Sequence, residues 1–381
     1  MQQQLNHKPK IVFLFSDTGG GHRSAAEAII EAFDLEFPNT YTFEMVDFFK
    51  EYSPPPLHLA GPTYTLMSRM EYLWKFTFEV SNDADRMRVI FSTFWPYIRL
   101  GIYQLIRDHP CDIYVSVHPI INIPFLRALK RKKIDTPYFI VVTDLVSTHT
   151  AWYANNADKI IIPTNQALQP ALKAGIDRSK LEVIGQPVAE RFCIANGNKK
   201  TLREKLGWEP GKTTILLVGG GEGMGPLGKI AREINQADID ASLVVVTGRN
   251  KNLQEDLNTH KWNIPTHIYG FVKEMPDFMR AADILVTKAG PGTICEALNA
   301  DLPIILYHRV PGQEEGNVNY LIDEGAGVWA PDIDDIIKTL RKWVENPSLR
   351  LKAAENAKRI AKPKAARMIA RRIAEKIPIK S

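Results

Sequence analysis

With 381 residues the chain has the length of two domains rather than one. A hydrophobic fraction of 45% with 24% charged residues describes a folded globular protein and excludes a disordered one. The net charge of +5, from 48 basic and 43 acidic residues, is too mild to imply a nucleic-acid partner.

Cys111, Cys193 and Cys295 are odd in number and make no Cys-x-x-Cys pair, so neither a disulfide framework nor a cysteine zinc site is indicated. A reducing cytoplasm is the compartment this favours. The polar N-terminus lacks the apolar stretch of a signal peptide. No apolar run approaches the ~20 residues of a spanning helix. Membrane contact is therefore expected to be peripheral.

Residues 11–15 (IVFLF) read as a buried strand, and Asp17-Thr-Gly-Gly-Gly21 as a tight loop. From His22 to about Phe37 a helix is expected, with Ala26, Ile29, Ile30, Phe33 and Phe37 on one stripe. Strand, glycine loop and helix open a βαβ unit. The loop is not a dinucleotide fingerprint, because Ser24 stands where the third glycine is required. Two readings remain: a loop that serves packing, or one that places the ionisable His22 at the ligand-binding edge of a sheet.

After a strand at 42–47 the pattern degrades. Residues 53–100 carry Pro54-Pro55-Pro56, Gly61-Pro62 and a dense aromatic set that includes Tyr64, Tyr72, Phe76, Phe91, Phe94, Trp95 and Tyr97. Arg69, Lys75, Arg86, Arg88 and Arg99 are interleaved. Core helices in an ordinary insertion are one reading, and a membrane-facing amphipathic segment is the other. The alternation resumes with strand 112–117, helix 120–132, strand 138–142 and strand 159–162. The helix ends in five basic residues of seven, Arg127 and Lys130-Arg131-Lys132-Lys133. Such a run is either a solvated helix end favoured by the dipole or a contact for anionic headgroups. Asp144, His149 and Trp152 follow the strand at 138–142.

Residues 185–200 are polar and turn-rich, the best domain boundary. Strand 214–218 then leads to Gly219-Gly-Gly-Glu-Gly-Met-Gly-Pro226. Gly223 to Lys229 nearly spells a P-loop, but Ile230 replaces the Ser/Thr that would hold Mg²⁺. Strands are expected at 242–246, 266–269 and 283–287. The last leads to Gly290-Pro291-Gly292 and a helix from Thr293, a turn whose unpaired backbone N–H groups suit a phosphate. Another strand, 304–307, precedes Gln313-Glu314-Glu315 and Asn317. Phosphate turn, acid one helical turn on (Glu296), then a polar fork: that order suits a nucleotide-sugar. The tail from Arg350 to Lys380 carries eleven Lys/Arg, reads as helices broken at Pro363, and its basic face is expected to be solvated.

The stretch KAGPGTICEALNADLPIILYHRVPGQEEGN (288–317) resembles the donor site of family 28 glycosyltransferases, most closely the monogalactosyldiacylglycerol synthases. SDTGGGHRSAAEAI (16–29), VSVHP (115–119), VVTDLVSTHTAW (141–152), GGGEGMGP (219–226) and TGRN (247–250) carry the same resemblance. It implies the GT-B fold, two Rossmann-like domains facing a cleft. Residues 1–190 would form the acceptor domain, 197–360 the UDP-sugar donor domain, and 361–381 a helix returning to the first.

The implied activity is inverting transfer of a hexose, galactose favoured, from a UDP-sugar to 1,2-diacylglycerol, at the cytoplasmic face of the cell membrane. His22 suits the general base by its intrinsic near-neutral pKa, and Asp144 only if desolvated. Phe271 and Val272 would meet the uracil, Glu296 the ribose, and Gln313, Glu314 and Asn317 the sugar. The diphosphate would rest on Gly290, Pro291, Gly292 and Thr293, with Arg249 as a further cation. Gly20, Gly21, Gly220 and Gly221 complete the expected donor contacts. His149 and Trp152 would face the acceptor. Lys130, Arg131, Lys132 and Lys133 would meet an anionic membrane surface. No metal or other cofactor is expected. Rival readings are a glucosyl transferase of the same kind, a transferase acting on the undecaprenyl-linked cell-wall precursor, a UDP-sugar 2-epimerase, and a non-catalytic UDP-sugar binder.

Overall fold

The computed structural model describes residues 8–17, 20–59, 71–194, 197–221, 223 and 225–377. Thr18 and Gly19 of the first glycine loop, Glu222 and Met224 of the second, and Gly61, Pro62, Tyr64 and Arg69 lie outside the described residues. The chain divides into two compact units. The first holds residues up to Glu190, Pro311–Gln313 and those from Lys364 onward, and the second Arg191–Val310 and Glu314–Pro363.

In the first unit six parallel strands form one sheet: β1 (Lys10–Phe15), β2 (Thr42–Asp47), β3 (Ile113–Ser116), β4 (Tyr138–Val141), β5 (Lys159–Ile162) and β6 (Leu181–Val183), in the order β2-β1-β3-β4-β5-β6. A parallel sheet is covered on both faces, so its strands are apolar throughout rather than alternating. Ile11, Phe13 and Phe15 of β1 pack on one side with Ile29 and Phe33 of the helix Gly21–Glu36. Val12 and Leu14 pack on the other with Trp95, Leu105, Phe125 and Leu129. The strand order reverses between β1 and β3. Open α/β sheets bind ligands at the carboxyl ends of the strands where the order reverses.

The segment at 53–100 supplies core helices, as one of its two readings expects, and the same helices leave apolar and aromatic side chains exposed. It contains the helices Glu71–Ser81 and Ala84–Asp108, the second capped by Asp83, whose side chain accepts the Arg86 N–H at 2.9 Å. Met87, Phe91, Trp95, Ile102 and Leu105 recur at helical spacing and are buried. Val89, Phe94, Tyr97 and Leu100 of the same helix are exposed, as are Tyr72 and Phe76 on the shorter one.

The last helix, Ala365–Lys376, joins the first unit through Ala366, Ile369, Ala370 and Ile373, a stripe that enters the same core as Ile11 and Ile29. Its basic face is not merely solvated, as the sequence suggests. Arg367 donates to Glu190 at 2.7 Å and Glu36 at 3.0 Å, Arg371 to Glu36 at 2.6 Å and Arg372 to Glu182 at 2.7 Å. Partly exposed pairs of this kind are worth little each, so the apolar stripe holds the helix and the arginines set its register.

The second unit repeats the plan with β7 (Thr213–Val218), β8 (Ala241–Val246), β9 (Thr266–Tyr269), β10 (Ile284–Lys288), β11 (Ile304–His308) and β12 (Gly327–Trp329). All are parallel, ordered β12-β11-β10-β7-β8-β9, so the reversal falls between β7 and β10. Asp283, paired with Arg203 and Lys199, accepts the Thr214 N–H at 2.9 Å and ties the starts of those two strands together. The α/β class, with two six-stranded parallel sheets, is the one expected of GT-B. The edge strands β6 and β12, three residues each, were not expected; so short a run has no readable period.

Candidate functional site

In the first unit the loop after β1 delivers His22. Gly20 caps the helix Gly21–Glu36 at φ 79°, a left-handed conformation that favours glycine, and His22 follows in the first helical turn. A bidentate contact from Arg23 to Asp17, at 2.7 and 2.6 Å, braces the loop. His22 Nδ1 lies 2.9 Å from Thr143 Oγ1, just past β4. Its ring meets that of His118, just past β3, edge to face with centroids 4.6 Å apart. Burial lowers the His22 pKa to about 4, opposed by a hydrogen bond to the Val117 backbone. His118 is driven well below the ordinary histidine value, by burial first and then by the charge His22 would carry. The near-neutral pKa expected of His22 is therefore not what the site provides: its imidazole is held neutral at pH 7.

Asp144 is buried, and its Oδ2 accepts the Trp152 indole N–H at 2.6 Å. Its other oxygen lies 3.4 Å from the Gln313 amide, Pro311–Gln313 being part of this unit. Trp152 and His149, expected to face the acceptor, are core residues instead. Trp152 is wholly buried, 6.1 Å from the His22 ring. His149 caps the turn Thr150–Trp152 by accepting the Ala151 N–H at 3.1 Å, and its Nε2 lies 3.0 Å from Ser81 Oγ. That links the Asp144–Trp152 loop to the helix Glu71–Ser81. Burial lowers the His149 pKa to about 4, against a hydrogen bond to the Phe78 backbone.

The basic run lies at the end of the helix Asn122–Lys132, with Lys130, Arg131, Lys132 and Lys133 exposed. Arg127 and Arg131 stack on Trp95, at 4.7 and 5.4 Å from its centroid, and Lys132 lies 4.6 Å from that of Tyr103. Part of the run is thus pinned against aromatic faces.

In the second unit two glycine turns flank the reversal of strand order. After β10, Gly290 caps the helix Pro291–Asn299 and Pro291 takes its first position, where a missing N–H costs nothing. The N–H groups of Gly292 and Thr293 point out of the first turn, and a Cβ on Gly292 would meet nothing within 4 Å. After β7, Gly220 and Gly221 lie against Gly248, where a Cβ would come within 2.4 Å of the Gly221 carbonyl oxygen. Gly248, at φ 60°, thereby lets the two loops touch.

Lys288 joins the turns, and sequence reasoning gave it no role. It follows a register irregularity between β10 and β11, a feature that re-aims side chains. Its side chain runs beside Gly220 and Gly290. Its ammonium lies 3.1 Å from Glu314 Oε1. The available signal was a lysine ending a predicted strand directly before a phosphate turn. His118 was missed as well, although it stands in the quoted VSVHP directly after a strand.

Of the other expected donor residues, the Arg249 guanidinium lies 5.1 Å over the exposed Phe271 ring and beside Gly221. Val272 follows Phe271 in the loop after β9, half-buried. Glu296 is half-buried, and desolvation pushes its pKa up to about 7 against the field of Arg191. Gln313 and Glu314 do not make a free fork. Glu314 is buried, holding Lys288 with one oxygen and the Val310 N–H at 2.8 Å with the other. Asn317 is buried too, donating to the Ala289 carbonyl at 2.9 Å, and so braces the turn.

The second unit can therefore receive an anionic diphosphate on a helix start with a lysine beside it. The first unit offers a neutral imidazole able to take a proton. Among the described residues, no group of three or more His, Cys, Asp or Glu is placed to hold a metal ion. Nor is any helix among them long and apolar enough to cross a membrane.

Residues 22–188 match the family model for monogalactosyldiacylglycerol (MGDG) synthase, and residues 214–375 that for the glycosyltransferase family 28 C-terminal domain. The chain is 37% identical over 367 residues to the probable monogalactosyldiacylglycerol synthase 2, chloroplastic, of Oryza sativa subsp. japonica, covering 93% of this chain and 78% of that protein. It is 35% identical to the monogalactosyldiacylglycerol synthase 1, chloroplastic, of Arabidopsis thaliana, covering 95% and 70%. Among solved structures, MurG of Acinetobacter baumannii shares the fold at a TM-score of 0.61 and 14% identity, over 96% of this chain and all of that one. The expectation of a cytoplasmic enzyme on the inner face of the cell membrane is overturned by these relatives, whose names place them in the chloroplast.

Proposed function

The chain belongs to the monogalactosyldiacylglycerol synthase family, and on that membership we propose its reaction: transfer of galactose from UDP-galactose to the free hydroxyl of 1,2-diacylglycerol, with inversion, giving a β-monogalactosyldiacylglycerol. The observation that carries the reading is a relationship extending over nearly the whole chain rather than one motif. It favours galactose over glucose. It does not favour the cell-wall transferase, the 2-epimerase or the non-catalytic binder.

In this reaction the glycerol oxygen attacks the anomeric carbon as the bond to the diphosphate breaks, and the bonding pair leaves on the phosphate oxygen. His22, neutral at pH 7, takes the hydroxyl proton, and Thr143 and His118 hold its ring. Asp144 positions Trp152 and the adjoining loop. The helix start at Gly292-Thr293 and the Lys288 ammonium stabilise the leaving diphosphate, a role that requires no metal. Phe271 and Val272 meet the uracil, Glu296 the ribose, and Gln313 the sugar. Glu314 acts through Lys288. The exposed lysines of the 130–133 run draw the protein to an anionic membrane surface.

Purified protein supplied with labelled UDP-galactose and diacylglycerol vesicles tests the reading. Labelled galactolipid should form, UDP should appear only when lipid is present, and UDP-glucose should be a poor donor. UDP release without lipid would instead mean hydrolysis, lipid-independent conversion of UDP-galactose into another UDP-sugar would indicate an epimerase, and equal use of both sugars would remove the galactose assignment.

A further inference from the structure

The first unit encloses a cavity of about 290 Å³ on the sheet face covered by the helices Ala84–Asp108 and Asn122–Lys132. Phe48, Phe49, Ile90, Phe94, Ile98 and Ile120 supply much of its wall. The polar residues among its described lining are Tyr52 and Ser53, and both are engaged elsewhere. The Tyr52 hydroxyl lies 2.6 Å from His109 Nε2, and the Ser53 hydroxyl donates to the Phe48 carbonyl at 3.2 Å. A cavity of this kind has nothing to hold water, stays dry and takes up apolar guests. Its volume is about ten times the ~30 Å³ share of one water, and a chain methylene occupies a similar share.

Its surroundings say which guest. Phe48 and Phe49 pack on the His118 ring, with centroids 5.2 and 5.7 Å away, and His118 touches His22. The inner wall is thus one ring removed from the imidazole that would take the acceptor's proton. Part of the wall also reaches the surface: Phe94 and Ile120 line the cavity yet remain 51% and 37% exposed. We infer that the cavity takes one acyl chain of the diacylglycerol acceptor, entering past Phe94 and Ile120 and leaving the glycerol hydroxyl beside His22 and His118. This inference rests on the function proposed above. It adds that the enzyme recognises its acceptor by an internal acyl site as well as by the headgroup.

Each methylene buried there is worth about fourfold in affinity. Acceptor kcat/KM should therefore climb steeply from dihexanoyl- to didecanoyl-glycerol and level off beyond. Ile98→Trp or Ile90→Trp, both at half-buried wall positions, should shrink the didecanoyl advantage over dihexanoyl-glycerol at least tenfold, with the KM for UDP-galactose as the control that the donor site is intact. An unaltered chain-length profile in the folded variants would overturn the inference. A diacylglycerol with a photoreactive diazirine on one acyl chain decides independently of turnover and of any folding defect. With the unmodified full chain, the label should fall on peptides from 48–57 and 87–124, and labelling confined to other segments would overturn the site. Should the chain transfer no galactose to any diacylglycerol, the functional reading fails, and the crosslink still shows whether the cavity takes an acyl chain.

Discussion

The imidazoles of His22 and His118 meet edge to face, 4.6 Å between centroids, at the point where the strand order of the first sheet reverses. Two histidines so close, His118 buried and His22 half-buried, cannot both carry a proton at modest cost, and desolvation keeps both neutral. His22→Ala should lower turnover by about 10²–10⁴, the usual worth of general-base catalysis, with little change in donor affinity. The acid limb of kcat/KM should lie near pH 4 rather than 6.5. Greater damage from Asp144→Asn, with His22→Ala retaining most activity, would exchange the two roles.

The same depressed pKa values make stability depend on pH. Between about pH 6.5 and 4 the unfolded chain binds protons at His22 and His149 that the folded chain refuses. Stability is therefore present above 6.5 and is lost as pH falls through that window. His149→Gln, which keeps a partner for Ser81 without a titrating group, should flatten the fall in Tm between pH 6.5 and 4. A variant whose Tm falls as steeply as the wild type would show that His149 does not contribute.

Asp144 and Trp152 form a charge-assisted pair inside the core, 2.6 Å from carboxylate to indole N–H. Asp144→Ala leaves that N–H buried without a partner, a loss of roughly 1–3 kcal/mol. Trp152→Phe, which removes the donor as well, should largely abolish the additional cost of Asp144→Ala. Denaturant unfolding of the two single variants and the double variant measures the coupling, and additive costs would mean the bond is incidental.

Both sheets were legible from strand hydrophobicity, because parallel strands buried on two faces read as plain apolar runs, as at Ile11–Phe15 and Ile215–Val218. The glycine turns were legible too, since a turn between strand and helix demands particular residues. What misled was side-chain direction. Trp152, His149, Glu314 and Asn317 stand beside ligand-binding motifs in sequence, yet they turn inward and brace the loops. For His149 and Asn317 local sequence carries no signal, because the partners lie far along the chain: Ser81 for His149, and Ala289 for Asn317. Lys288 escaped for a related reason, its aim being set by a register irregularity that only the paired strands reveal.

Lys288 is predicted to be a diphosphate contact, and its role separates from that of Gln313. Lys288→Met removes the ammonium beside Gly220 and Gly290 and leaves the Glu314 carboxylate buried. Affinity for UDP and UDP-galactose should fall together by tenfold or more, while uridine binding is unchanged. Gln313→Ala should impair sugar transfer by roughly 1–3 kcal/mol with UDP binding intact. Calorimetry showing that Lys288→Met weakens uridine as much as UDP would reduce the lysine to a structural brace.

A helix start and a lysine supply positive charge without a metal, so turnover should survive EDTA within a small factor. Activity lost in chelator and restored by Mn²⁺ or Mg²⁺ would sink this prediction.

Membrane binding should be electrostatic in approach and apolar in seating. Lys130 and Lys133 extend the run beyond Arg131 and Lys132, which lie over Trp95 and Tyr103. Each exposed cation near an anionic surface is worth on the order of 1 kcal/mol, so a handful suffices for reversible docking. Exposed aromatics on the helix Glu71–Ser81, Tyr72 at 94% and Phe76 at 65%, are suited to an interface once the protein has arrived. In vesicle flotation, binding should rise with the anionic fraction and fall with salt. Neutralising Lys130, Arg131, Lys132 and Lys133 should weaken the salt-sensitive part, and Tyr72→Ala with Phe76→Ala the part that persists at high salt. Because Arg131 and Lys132 also pack on core aromatics, their replacement should cost some stability, so Lys130→Gln with Lys133→Gln is the cleaner pair. Binding indifferent to both headgroup charge and ionic strength would mean that this run is only a solvated helix end.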